Sequence, residues 1–336
     1  MTSVASAFFR PCKPSDESLP KPEKRGGAAL ATIGSHVFIF GGATRSDMTG
    51  DAWRFDGKNW KRMEIKDMTQ TAAAGKRNHL AVSGMSATVI MNDIEGVDDV
   101  NKIAKIILFG GQDNETSRQS SLMWELTDVL DKDVKAKQLH AIDGPSARNS
   151  HGALCLAEGA ERKLMIWGGA DGEGHRKDGF LYDFANNKWE PLLQTSNESP
   201  CAREMFSLTR FGNDAILLGG KTETEVPTDL WIFNLLAGWK KSSQTIPFRR
   251  MSHSCTAIQP ISEDQPKMLA VFGGVEFTEE GAMGFPDSIY IGMVDEANNK
   301  EVQIAWTAVS SDLGGKQVWA SGRFGHSASA FEKQML

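Results

Sequence analysis

Six arginines open similar short segments of this chain. Arg148-Asn-Ser-His151, Arg250-Met-Ser-His253 and Arg323-Phe-Gly-His326 are near copies; Arg25 and Arg203 keep the arginine without the histidine, and Arg77-Asn78-His79 shortens the spacing. A guanidinium presents a planar fork of donors that matches a carboxylate or a phosphate. If the segments occupy equivalent places around an axis, Arg25, Arg77, Arg148, Arg203, Arg250 and Arg323 form a ring at one mouth. That ring would focus a positive field on a chain whose Asp and Glu (43) outnumber Lys and Arg (37). The competing reading is that each arginine ties together neighbouring loops, and the sequence leaves both open. His79, His151, His253 and His326 read as hydrogen-bonded structural residues.

The elements that must position these residues come from a repeat. Five apolar runs end in a glycine pair: HVFIFGG, KIILFGG, KLMIWGG, DAILLGG and MLAVFGG, with the pairs at 41–42, 110–111, 168–169, 219–220 and 273–274. A unit recurring at about 50 residues marks an array of small sheets around an axis. After each pair comes an aromatic-rich strand (Trp53-Arg-Phe55, Trp124, Tyr182-Asp-Phe184, Trp231-Ile-Phe233, Tyr290). A fourth piece usually carries a tryptophan: Trp60, Trp189, Trp239 and Trp306, with none in the second unit. Short strands of this composition predict four-stranded antiparallel blades. The glycines are expected to permit positive φ and close backbone approach, and the tryptophans to pack between blades.

Together these markers resemble the kelch-repeat family, over roughly residues 25–331. The resemblance implies an all-β, kelch-type β-propeller serving as a protein-recognition module. The expected organisation is an N-terminal arm (1–24) and one propeller domain (25–336). Its units lie near 25–66, 76–143, 147–196, 202–245 and 249–310, with a partial one at 322–336. That gives five complete blades plus either the first strand of a sixth, from a chain that stops short, or a strand closing a ring of five. Residues 86–105, acidic through Asp93, Glu95, Asp98 and Asp99, are read as a lengthened link in the second unit.

Composition narrows the function. The acidic balance argues against a general nucleic-acid or anionic-membrane surface, and no apolar run approaches a membrane span. The opening residues read as an arm and not a signal peptide. Cys12, Cys155, Cys201 and Cys255 are too scattered for a disulfide framework or a zinc site. The expected setting is cytoplasmic, with no cofactor and no metal.

No catalytic motif is found. Gly220-Lys221-Thr222 lacks the earlier glycine of a phosphate-binding loop, because position 215 is alanine. The two tyrosines, Tyr182 and Tyr290, both fall on repeat positions, which argues against a copper radical oxidase. The leading expectation is a non-enzymatic scaffold binding a protein segment, acidic or phosphorylated, at the arginine-lined mouth. The kelch resemblance supplies a precedent, since arginines at this repeat position bind acidic motifs in some ubiquitin-ligase adaptors. Trp319, off the repeat template, is a further anchor candidate, and the loops after the glycine pairs (Gln112, His175, Arg176, Glu276 and Phe285 among them) are the expected specificity elements. The alternatives are a recognition or regulatory domain of a larger ubiquitin-ligase or phosphatase assembly, and a mutarotase-like or specifier-like small-molecule enzyme.

Overall fold

The computed structural model describes residues 14–65, 78–91, 104–113, 116–131, 133–156, 162–192, 198–258, 266–278, 280–295, 302–309, 322–328, 330–331 and 334–335. Within these, five four-stranded antiparallel meanders follow one another. Blade 1 is Ala29–Ile33, His36–Phe40, Ala52–Phe55 and Trp60–Met63. Blade 2 is Ser86–Met91, Ala104–Phe109, Met123–Thr127 and Lys135–Leu139. Blade 3 is Gly152–Leu156, Lys163–Trp167, Gly179–Asp183 and Lys188–Pro191. Blade 4 is Ser207–Phe211, Asp214–Leu218, Asp229–Asn234 and Gly238–Thr245. Blade 5 is Ser254–Ile258, Lys267–Phe272, Ile289–Asp295 and Gln303–Val309. A hairpin, Ala330–Phe331 with Gln334–Met335, stands beside the first strand of blade 5.

The first strands of successive blades are neighbours, so they line the axis and the fourth strands lie outermost. Second strands are sandwiched between blades, and Leu164, Met165, Ile166 and Trp167 are all buried. Burial on both faces is why the second strands read as unbroken apolar runs and not as alternations. Apolar clusters fill the junctions between blades 1 and 2, 2 and 3, 3 and 4, and 4 and 5. The fourth-strand tryptophans work across these junctions. Trp189 of blade 3 lies edge-on to Phe109 of blade 2, and Trp239 of blade 4 edge-on to Trp167 of blade 3. Residues 86–91 and 104–105, expected in a long link, belong to strands; Asp93, Glu95, Asp98 and Asp99 lie outside the described residues.

The blade count is set at the axis. The Gly84 N–H donates to the Gly27 carbonyl, Ser150 to Gly84, Met205 to Ser150, Ser252 to Met205, Gly325 to Ser252, and Gly27 back to Gly325, at 2.7 to 3.3 Å. This is a closed ring of six backbone hydrogen bonds, one residue per unit. All six residues have φ between 53° and 68°, the left-handed conformation that turns each N–H toward the preceding unit. The unit beginning at Arg323 therefore takes a sixth place in the ring and does not close a ring of five.

The ring also corrects a register. Each member lies two residues after an arginine (Arg25, Arg148, Arg203, Arg250, Arg323), so the arginine position of the second unit is Val82 and not Arg77. Arg77 itself lies outside the described residues.

The glycine pairs clasp the following unit. The second glycine N–H donates to the carbonyl of the next unit's arginine position: Gly42 to Val82, Gly111 to Arg148, Gly169 to Arg203, Gly220 to Arg250 and Gly274 to Arg323. A Cβ at Gly219 (φ 59°) would stand 2.5 Å from the Arg250 carbonyl oxygen and 2.8 Å from the His253 ring. The glycines are thus required by the neighbouring unit's backbone and ring, more than by crowding at the axis. Gly219→Ala should lower unfolding stability by more than about 2 kcal/mol. Gly34→Ala, with φ 55° and open space around its Cβ, should cost only about 1 kcal/mol. Urea titrations of the two variants measure the difference.

Candidate protein-binding face

The links between second and third strands and the links between units leave the propeller on one face, and the arginines lie beneath that face. Arg148 donates from Nη1 to Asp178 Oδ1 (2.9 Å) and the Gly168 carbonyl, and from Nη2 to Asp178 Oδ2 (3.0 Å) and Ser146 Oγ. Arg203 makes the same fork to Asp229 at 2.7 and 2.8 Å and reaches the Gly219 carbonyl. Arg25 pairs with Asp51 and reaches the Gly41 carbonyl. In blade 5 the acid differs: Arg250 donates to both oxygens of Glu276 and to Ser288 Oγ, and its guanidinium lies 4.9 Å from the Tyr290 ring centroid.

These pairs overturn the expectation that the arginines present free forks to a ligand. Arg148, Arg203 and Arg250 are completely buried, and their donors are engaged by acids of their own unit and by the glycine carbonyls. Burying a guanidinium without such partners would cost several kcal/mol. Glu276, expected as a specificity residue, turns inward to supply that charge. Arg323 is exposed, whereas Trp319 lies outside the described residues. In blade 2 both halves of the pair are replaced: Leu122, whose carbonyl accepts from Gly110 as those of Asp51 and Asp178 accept from Gly41 and Gly168, stands where the acid would be, and Val82 where the arginine would be.

The partner acids Asp51, Asp178 and Asp229 were passed over by pattern reading. Asp51 and Asp229 stand two residues before Trp53 and Trp231 and accept from those indole N–H groups at 2.6 and 2.7 Å. Burial alone would raise the pKa of Asp51, Asp178 and Asp229, but the hydrogen bonds and charge of their arginines outweigh it and hold each below the ordinary carboxylate value. A recurring Asp-x-aromatic would have flagged three of the four. In blade 5 the residue two before Tyr290 is Ser288, and Glu276 supplies the acid.

His151, His253 and His326 are structural, as expected, and they bridge units. His151 bonds Ser86 of blade 2, His253 bonds Ser207 of blade 4, and His326 bonds Ser254 of blade 5, at 2.9 to 3.0 Å. At the junction of blades 3 and 4 the pair becomes Phe206 and Gly152, whose missing side chain leaves room for the phenyl ring. Burial first, then a neighbouring arginine, pushes His151 and His253 down to about 3 and His326 to about 4.

What this face offers a partner lies one residue beyond three of the arginine positions, where side chains reach across to the preceding blade. Asn149 Nδ2 donates to Gln112 Oε1 at 2.8 Å, and Glu204 Oε1 lies 3.2 Å from His175 Nε2. Phe324 stacks on Phe285 with centroids 5.4 Å apart and planes 22° apart. Both phenylalanines are more than half exposed, and Met283, two residues before Phe285, is exposed as well. Gln112, His175 and Phe285 had been expected as loop contacts; Asn149, Glu204 and Phe324 had not, because only the ring register singles them out.

Residues 97–336 match the family model of the KLHDC2/KLHL20/DRC7 Kelch-repeats domain. The chain belongs to the kelch-repeat family. Kelch domains generally act as non-catalytic modules that bind proteins. Over 187 residues, 52% of its length, this kelch chain is 23% identical to the dynein alpha chain of the flagellar outer arm of Chlamydomonas reinhardtii. It spans 4% of that protein's length. Among the described residues, no helix is long and apolar enough to cross a membrane, and no group of three or more His, Cys, Asp or Glu could hold a metal.

Two predictions follow from the buried charges. Arg203→Met should cost about 3–5 kcal/mol by stranding Asp229, while Arg203→Val with Asp229→Leu, the arrangement of blade 2, should recover most of it; denaturant titration of the cycle measures the coupling. The histidines, whose folded pKa lies below the unfolded value near 6.5, give full stability above pH 6.5. Stability should fall as pH drops from 6.5 toward 4, by up to about 1.4 kcal/mol per pH unit for each histidine that stays neutral when folded. The depressed carboxylates contribute above their unfolded value of 3.8 and lose that contribution only at lower pH. Ser207→Gly with His253→Phe, copying the junction of blades 3 and 4, should flatten the slope between pH 6.5 and 4 in thermal melts.

Proposed function

We propose that this kelch propeller is a protein-binding module that holds a partner segment on the arginine-bearing face. The contacts would come from the side chains bridging blade to blade there, not from the buried arginines. The observation that carries the reading is the stacked, half-exposed pair Phe285 and Phe324 beside exposed Met283. Large rings presented together on a rigid rim have the character of interface anchors. Around the same mouth, Asn149, Gln112, Glu204 and His175 supply amide and ionisable groups of mixed character. Among the described arginine positions, Arg323 is the exposed candidate for an acidic or phosphorylated segment, at the aromatic end. The carboxylates beside the other arginines are ion-paired, which leaves a mutarotase-like chemistry without support.

The likeness to a short part of a dynein alpha chain supports a related reading, in which such a propeller is the recognition element of a larger assembly. Affinity capture with wild type and with Phe285→Ala, Phe324→Ala tests the site. Each ring should contribute about 2 kcal/mol, so partners should weaken by tenfold or more, with Tm unchanged. An undiminished set of partners would remove this aromatic corner from the interface.

A further inference from the structure

A second candidate site lies away from that face, in the cleft between the outer strands of blades 2 and 3. It is a half-open groove of about 560 Å³, a volume within the range of sites that take small organic molecules. One wall is a face of blade 2 carrying Lys105, Glu125 and Lys137. Lys137 stands directly opposite Glu125 in the strand register, and Lys105 Nζ lies 2.9 Å from Glu125 Oε2. The other wall is aromatic: part-exposed Phe184 meets the buried Tyr182 edge to face, with centroids 5.0 Å apart and planes at 88°.

The cleft is held open by a short chain of hydrogen bonds. The Tyr182 hydroxyl donates to Asn187 Oδ1, and Asn187 Nδ2 donates to the His140 carbonyl of the link after blade 2 at 3.2 Å. The two walls are therefore tied together before any ligand arrives, which lowers the ordering cost of binding.

The charge arrangement points to what would enter. In blade 3, Lys163 faces two carboxylates, Asp183 at 2.7 Å and Glu190 at 3.6 Å. The cleft inverts that ratio, with two lysines and one carboxylate. Glu125 is the single acid among its lining residues and is already bonded to Lys105. Lys137, exposed at the lip, leaves the wall with a net positive charge beside an aromatic surface.

We propose that this cleft binds a small, flat organic anion, its carboxylate on Lys137 and its apolar plane against Phe184. Titration of the protein with benzoate, and with neutral benzamide of the same shape, followed by amide NMR shifts of residues 135–140 and 182–187, tests the assignment. Benzoate should shift these resonances saturably at millimolar concentration and bind at least about tenfold more tightly than benzamide, the worth of one charge-assisted hydrogen bond. Lys137→Gln should weaken benzoate by a similar factor. Lys135→Gln, on the same strand but not lining the cavity, should leave it unchanged. Both substitutions are at exposed outer-strand positions, and unchanged Tm values would show that the fold is intact. Shifts that fail to saturate, equal binding of benzamide, or indifference to Lys137→Gln would each overturn the proposal.

Discussion

Six backbone hydrogen bonds around the axis, from Gly27 through Gly84, Ser150, Met205 and Ser252 to Gly325 and back, are the constraint on which the other features rest. The ring fixes the number of units and the phase of each. The residue before each member faces the mouth, the residue two before it is the arginine position, and the residue after it meets the preceding blade. The conformation has a cost: a left-handed residue with a side chain is strained by roughly 1–2 kcal/mol. Ser150, Met205 and Ser252 carry that strain, and the surrounding hydrogen bonds hold it in place.

From the ring outward, the molecule solves the same problem twice. The carbonyl of the first glycine of a pair must be satisfied in a dry interior. Most units do this with a guanidinium fork and a carboxylate, a directional fitting that fixes both loops at once. Blade 2 instead places the apolar Val82 and Leu122 there, giving up the polar contact along with its desolvation cost. The same choice recurs between blades, where histidine and serine alternate with phenylalanine and glycine. In each case both members change together, since a lone buried charge or a ring against an unyielding Cβ would be costly.

This pattern explains what could be read from the residues alone. The blades were legible because strand burial writes itself into the chain as apolar runs, and the glycine pairs because only glycine meets both the positive φ and the close contact. The arginines were legible as a set but not in their role. Nothing local distinguishes a guanidinium that faces solvent from one that faces an aspartate 26 or 30 residues further on. Arg77 was misplaced because an arginine followed by a histidine looks like the motif, while the true position had become valine. Phe324 was invisible for a different reason: it acts only through Phe285, 39 residues earlier in the chain, and its exposure depends on where the sixth unit sits. The cleft beside Tyr182 likewise exists only between two blades.

The bond from Gly27 to Gly325 joins residues near opposite ends of the chain. A ribosome adding about 5–20 residues per second exposes Gly27 roughly 15–60 s before its hydrogen-bond acceptor is made. For that interval the first strand of blade 1 has a neighbour on one side only. Blades can pack in order as they emerge, each against the one before, but the circle cannot lock until its last member arrives. Newly made chains thus pass through an open arc whose first blade keeps an uncovered flank, and chaperones would meet the protein in that form.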